Sequence, residues 1–356
     1  MYKERINRVL DLLREGGIEQ AIVSSTASVY YLTGLWIETH ERMLALLISS
    51  SGEATLYTNA VFGVFEEYGV PVFLHTDNEN PVAQLASALK PGKVGIDKFW
   101  YSKFLLELMD LRRDVVPVDG SYAVDIARRT KGKDECELMR KSSKINDEVM
   151  AKALAAITGG MSENELAVFI KREHLKRGAD GGGTELICFG ANGADPHHMP
   201  DETALSPGDS VVMDVFTPID RYWCDMTRTV FYKTVSARQR EVYELVRRAN
   251  EAAIRAVRPG VKLSEIDGIA RKIITDGGYG EFFTHRLGHG CGLECHEPPD
   301  VSGACDELLL PGMVHSVEPG IYLPEEFGVR IEDLVLVTET GCEVLNSYPK
   351  DLIIIE

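Results

Sequence analysis

Long hydrophobic runs are missing from this sequence. Its most apolar stretches, such as MLALLI at 43–48, are far shorter than the roughly 20 residues that span a bilayer. Positive charge is also scarce, with 38 Lys and Arg against 55 Asp and Glu and a formal net charge of −17. Nucleic acid and anionic membrane surfaces reward basic patches, so neither is the expected partner. The seven cysteines form no C-x-x-C pair and are odd in number, which fits a reduced, cytoplasmic setting. The opening MYKERINRVLDLL is charged and helical in period rather than an apolar leader with a cleavage site. Pro/Gly-rich linkers and low-complexity tracts are absent as well.

What is present is a chain of 356 residues, longer than one hydrophobic core usually serves, so two domains are expected. Residues 1–122 alternate short apolar runs with helical periods. Ala21–Ser25, Met43–Ser49, Ala54–Thr58, Pro71–Leu74 and Lys93–Ile96 read as strands; Ile6–Glu15, Val61–Tyr68, Pro81–Leu89 and Ser102–Leu111 read as helices. That alternation makes an α/β layer. YYLTG at 30–34 reads as a strand end and turn, and His40 and His75 stand alone. The basic stretch ARRTKGKDE at 127–135 leads into a long helical pattern, Asp134–Ile157, near the start of a second domain expected over 123–356.

The second domain contains an echo of itself. GGMSENELAVFIKREHLKRGA from Gly159 matches PGVKLSEIDGIARKIITDGGY from Pro259 in kind: a glycine turn, a capped helix and a closing Gly. Ser162 and Glu165 have capping-box spacing. LSPGDSVVMD places Asp214 seven residues after Pro207, and LLPGMVHSVE places Glu318 seven after Pro311. HHMPD at His197 and HEPPD at His296 repeat the approach. Two copies are too few for a solenoid. They imply two halves related by a pseudo-two-fold, each with two helices and an antiparallel sheet, delivering acids to a shared centre.

Those acids are placed oddly. VVMDVFTPIDRYWCDMTRT reads as a hairpin with Asp214 and Asp225 on otherwise apolar strands. A tight turn at Ile219–Asp220 puts the two directly opposite, with Cβ atoms about 5 Å apart. At an effective dielectric of 20 they repel by roughly 3 kcal/mol, and desolvation adds to that. EPGIYLPEEFGVRIED repeats the device with Glu318 and Glu332, centred on residue 325. Between the hairpins, HRLGHGCGLECHEPP presents His285, His289 and His296 on a glycine-rich loop. Four carboxylates and an imidazole suit one or two hard divalent cations.

With those motifs in view, the chain resembles the pita-bread metallopeptidases, and within them the Xaa-Pro branch of prolidase (Xaa-Pro dipeptidase) and aminopeptidase P. The resemblance rests on D-x10-D-M-T-R-T, G-H-G-x-G-L-x-x-H-E, E-P-G-I-Y and R-I-E-D and covers nearly the whole chain. It implies a creatinase-like α/β N-terminal domain followed by an α+β pita-bread domain with a pseudo-two-fold antiparallel sheet and flanking helices. It implies two divalent metal ions, manganese or cobalt, held by Asp214, Asp225, His289, Glu318 and Glu332, with Asp225 and Glu332 bridging. Asp214 would hold one ion, His289 and Glu318 the other. A bridging hydroxide would attack the peptide bond before proline, with Glu318 shuttling the proton and His197 and His296 donating hydrogen bonds to the substrate. His198 and His285 would line the same pocket. Arg330, on the strand face of Glu332, would grip a carboxylate or orient a metal-bound acid. The resemblance leans to a dipeptidase over an aminopeptidase and implies a homodimer, with the partner's N-terminal domain near the pocket at Trp36. His315 departs from the family's usual residues, facing the pocket or away from it. The alternative, a metal-free binding protein or creatinase-like amidinohydrolase on the same fold, expects ligands to be lost, and all five are present.

Overall fold

The computed structural model describes residues 2–64, 69–181 and 183–356. The chain forms two compact units, Met1–Arg128 and Arg129–Glu356.

The first unit is an α/β layer. Its strands are β1 (Gln20–Val23), β2 (Ala45–Ser49), β3 (Ala54–Asn59), β4 (Val72–His75), β5 (Gly92–Ile96) and β6 (Val115–Asp119), and its helices are α1 (Lys3–Glu15), α2 (Thr26–Thr33), α3 (Pro81–Ala88), α4 (Ser102–Leu111) and α5 (Ser121–Arg129). The sheet runs β4-β3-β2-β1-β5-β6, mixing parallel and antiparallel pairs. Helix α1 buries Ile6, Val9, Leu10 and Leu13, the stripe that a period of 3.6 dictates. Two expectations change here. YYLTG is the end of helix α2, capped by Ser25 accepting from the Ser28 amide and closed by Gly34 at φ 81°. A buried short run carries no periodicity to separate strand from helix. Ala60–Phe62 is a single 3₁₀ turn rather than the start of a helix, and residues 65–68 of that expectation lie outside the described residues. The expected division at residue 122 falls inside α5.

The second unit carries the echo. Its first half comprises α6 (Lys133–Ala156), α7 (Glu163–Lys176), β7 (Thr184–Phe189), β8 (Ser210–Ile219) and β9 (Tyr222–Tyr232). Its second half comprises α8 (Ala237–Ala256), α9 (Leu263–Asp276), β10 (Gly288–Gly290), β11 (Glu297–Val301), β12 (Val314–Val317), β13 (Gly320–Leu323), β14 (Phe327–Arg330), β15 (Asp333–Val337) and β16 (Cys342–Val344), with β17 (Ile354–Ile355) returning to the first half's sheet. That sheet runs β17-β9-β8-β7, and the second half's runs β11-β10-β12-β15-β16. Each half has its own apolar core, one around Met213, Met226 and Ile170, the other around Val335, Val246 and Ile266. The halves touch backbone to backbone at Gly193 and Gly328. A Cβ added to Gly328 would lie 1.7 Å from the Gly193 carbonyl oxygen, so no side chain fits.

The first hairpin corrects the expected register. Asp214 pairs with Thr227 and Asp225 with Phe216, because the turn is Asp220–Arg221. Both turn residues have positive φ, 51° and 70°, the backbone of a type I′ turn that matches strand twist. The slip is two residues, so both aspartates keep one face and become diagonal neighbours. The second hairpin has the expected symmetry: Val317 pairs with Asp333 and Gly320 with Arg330. Glu318 and Glu332 therefore face each other at the break between the two ladders.

Candidate metal centre

A cavity of about 490 Å³ opens in the second unit where the two hairpins converge. Asp214, Asp225, His289, Glu318 and Glu332 all line it, together with His197, His285, His296 and Arg330. One donor atom from each of Asp225, His289 and Glu332 lies within 4.8 Å of the others. His289 Nε2 is 3.3 Å from Glu318 Oε1 and 3.7 Å from Asp225 Oδ2. The alternation of strand faces delivers this set: Asp214 and Phe216 from β8, Asp225 and Thr227 from β9.

The electrostatics are unfavourable as they stand. Burial, then Asp214 and Glu318, pushes the Asp225 carboxyl well above the usual carboxylate range. Burial, then Asp225 and Glu318, does the same to Glu332. Burial lifts Glu318 to about 7 although Arg330 opposes it. His289 is held to about 3 by burial and by His296, so it is a neutral donor at physiological pH. Asp225 Oδ1 and Asp214 Oδ1 are buried with no hydrogen-bond partner. Buried carboxylate oxygens are ordinarily satisfied. Two orphaned oxygens beside a neutral imidazole are the donor set that a hard cation completes, so the residues present fit divalent metal ions.

The neighbours fix these side chains. Thr227 Oγ1 donates to Glu332 Oε2 at 2.8 Å, and Ser316 Oγ to Glu318 Oε1 at 3.1 Å. Arg330 is buried, with Nη2 on Asp214 Oδ2 at 2.8 Å, Nη1 on the Tyr322 hydroxyl at 3.0 Å and Nε on Thr227 Oγ1 at 3.1 Å. Of its two expected roles, the geometry matches orienting the acid. His285 Nε2 meets the same Tyr322 hydroxyl at 2.8 Å. The ring of His296 stands 4.0 Å from that of His289. Gly288 lets His289 sit so deep: its added Cβ would lie 2.2 Å from the Ser316 carbonyl oxygen. Gly288→Ala is expected to lower the melting temperature and to cut metal affinity at least about tenfold, since ligand-supporting changes typically cost that much; calorimetric titration with Mn²⁺ checks it.

One expected residue lies elsewhere, and the open orientation of His315 is decided. His198 does not line the cavity; its Nε2 is 2.9 Å from Glu163 Oε2. Glu163 is fully buried and also accepts from the Phe189 and Asp201 amides and from Asn192. With Asp201 these form a second acidic cluster, but hydrogen bonds already saturate Glu163, and the cluster anchors the loop that carries His197. His315 alternates with Ser316 on β12 and so faces away from the centre; its Nδ1 contacts its neighbour's carbonyl. Sequence reasoning missed Tyr322, Thr227, Leu186, Phe216 and Arg286 in or against the wall. Tyr322 and Thr227 sit inside the motifs E-P-G-I-Y and D-M-T-R-T, a signal that adjacency could have supplied.

Comparison with known proteins follows the same division. Residues 137–339, more than half of the chain, match the model of metallopeptidase family M24. Residues 5–129 match the creatinase/prolidase N-terminal domain. YkvY of Bacillus subtilis (strain 168), whose given name proposes a dipeptidase, is 37% identical over 99% of both chains. The crystal structure of a recombinant prolidase from Thermococcus sibiricus superposes with a TM-score of 0.94 at 34% identity over 99% of both chains. That of a dipeptidase from Pyrococcus horikoshii OT3 gives 0.92 at 33% identity over 98% of this chain and 99% of the other.

Proposed function

The chain belongs to metallopeptidase family M24, and from that premise we propose that it is a dinuclear-metal Xaa-Pro dipeptidase. The observation that carries the reading is the buried cluster of Asp225, His289 and Glu332, with Asp214 and Glu318 beside it in one cavity wall. The family implies divalent metal ions, and we assign manganese or cobalt. Asp214, Asp225, His289, Glu318 and Glu332 would hold the ions, with Asp225 and Glu332 at the middle of the set. When bound, the ions supply an activated water and Lewis-acid polarisation of the scissile carbonyl.

The chain's own residues do the rest. Glu318 takes the proton released by the attacking water and returns it to the leaving proline nitrogen, a general base and then acid. His197 and His296 donate N–H groups to the substrate carbonyl as negative charge develops on it. Arg330 holds Asp214 against rotation through its 2.8 Å contact. Leu186, cross-strand from Asp214, and Phe216 give an apolar side to the cavity that suits a pyrrolidine ring. We infer a cytoplasmic homodimer, in keeping with seven cysteines that are all free. Among the described residues, no helix is long and apolar enough to cross a membrane.

The test is a side-by-side assay of Xaa-Pro and Xaa-Pro-Yaa peptides with Mn²⁺ or Co²⁺ supplied. Cleavage of the dipeptide alone is the expected result. Cleavage of the longer peptide at equal rate turns the reading to an aminopeptidase, and failure to cleave either overturns it.

A further inference from the structure

The loop that carries His296 is held from behind. Among the described residues the His296 ring makes no hydrogen bond of its own; it meets the His289 ring at 4.0 Å and is otherwise placed by its backbone. The next residue, Glu297, opens β11 and is enclosed. Lys131 Nζ donates to Glu297 Oε2 at 3.1 Å, and the two side chains are only 2% and 4% exposed. Glu297 Oε1 accepts from the Glu294 amide at 3.1 Å, closing a turn that contains His296. Lys131 is fixed in its own right: its amide donates to the Gly312 carbonyl at 2.7 Å, and Thr130 bridges to Met313, just before β12. The fit is tight. A Cβ added to Gly292 would lie 2.8 Å from both Lys131 Cε and Glu297 Oε2.

The pair lies on the side of the sheet turned away from the cavity. Glu297 and His315 both pair with Gly290, one position after His289, and side chains alternate between faces along a strand. Burial pulls the His315 imidazole down to about 4, and the Lys131 charge adds to the effect, so the ammonium is on that side too. With the sheet running β11-β10-β12, the ion pair spans β10. It joins the approach to β12, the strand before Glu318, to the residue beside His296. Two charges taken out of water lose about what their attraction returns, and apolar residues of like volume often serve stability as well. What a dry pair supplies is a fixed separation between two segments, here 166 positions apart in the chain. His296 is the cavity residue that this separation places.

We propose that the buried Lys131–Glu297 pair is a positioning device for His296, setting the place from which that imidazole donates to the scissile carbonyl. This rests on the role of His296 in the peptidase reading and adds the support that holds it. Neither Lys131 nor Glu297 lines the cavity, so both act through His296 rather than on substrate. A well-placed oxyanion donor is worth about 10²- to 10³-fold in kcat, and loss of its support should forfeit part of that, about tenfold. Because the contact strengthens as charge develops, the loss falls on kcat and leaves KM within about twofold.

The experiment uses the full chain loaded with Mn²⁺ and an Xaa-Pro dipeptide. Two variants break the pair: Glu297→Gln, and Lys131→Met combined with Glu297→Leu, which removes both charges and strands neither. Each is made in the wild type and in His296→Ala, with melting curves and elemental analysis taken first. Both variants should keep the metal content of the wild type and lower kcat about tenfold in its background. In His296→Ala the same changes should alter kcat by less than about twofold, since residues that act as a unit are non-additive. A loss that persists in His296→Ala, a loss of bound metal, or a folded double variant with wild-type kcat overturns the positioning role and leaves the peptidase standing. Failure of both variants to fold overturns it as well, by making the pair a support of the fold. A wild type that cleaves no Xaa-Pro dipeptide overturns the peptidase reading and with it the role of His296.

Discussion

Asp225→Asn is expected to strip the protein of its metal and to lower kcat/KM at least about a thousandfold, the scale of losing metal-assisted activation of water. Asparagine keeps the shape of the side chain and removes the charge, so the loss reports ligation rather than packing. The position explains the severity. Asp225 is buried within electrostatic reach of Asp214 and Glu318, its Oδ1 has no protein partner, and its Oδ2 faces His289 at 3.7 Å. Asp214 lies nearer the edge of the cluster and is braced by Arg330. Asp214→Asn should therefore lose about one ion where Asp225→Asn loses both, as expected for a terminal against a bridging carboxylate. Elemental analysis of protein purified without chelator, followed by calorimetric titration, checks the pair. Two ions retained with unchanged affinity in Asp225→Asn would refute the bridging role.

The largest stability effect is expected at Arg228. Its side chain is among the largest that are fully buried. Nη1 donates to the carbonyls of Thr227 and Glu332 at 2.9 and 2.6 Å, and Nη2 to Asp333 Oδ1 at 2.7 Å and the Tyr348 carbonyl at 2.8 Å. Burial alone would raise the Asp333 carboxyl, yet Arg228 and Lys350 hold it below the usual range. Arg228→Met fills the volume but removes a donor from four carbonyls, those of Thr227, Glu332, Tyr348 and Pro349, and leaves one buried carboxylate with half its counter-charge. Breaking such a pair costs about 3–5 kcal/mol, which for a unit of this size lowers the melting temperature by roughly 10 °C. A thermal melt within about 2 °C of wild type would show the network to be dispensable. Because Arg228 also fixes the backbone of Glu332, the folded fraction should bind metal more weakly.

Much of this architecture was legible in the sequence because its signals are local. Helix α6 and the capped helix α7 announce themselves by period and by Ser162 with Glu165. The acids were visible as charges on apolar strands, and the second hairpin's symmetry about residue 325 followed from its loop. The first hairpin's register did not, because Asp220–Arg221 adopts positive φ without the Asn-Gly or Asp-Gly that usually marks such a turn. YYLTG misled for another reason. Six of the eight residues of α2 are buried, so neither face shows as polar. His198 and Arg286 show the limit reached at the site itself. Residue type makes both plausible in a pocket, but only tertiary contacts decide that one turns to Glu163 and the other to the rim.

The close approach of Gly193 and Gly328 bears on how the centre keeps its dimensions. Two glycine backbones in contact leave no side chain to compress between the halves. The gap across which β8 and β9 face β14 is thus set by a hard stop rather than by soft packing. Ligands that come from residues more than a hundred positions apart, Asp214 and Glu332, inherit their spacing from that stop. Any residue larger than glycine there would act as a shim, widening the whole centre while leaving every ligand in place.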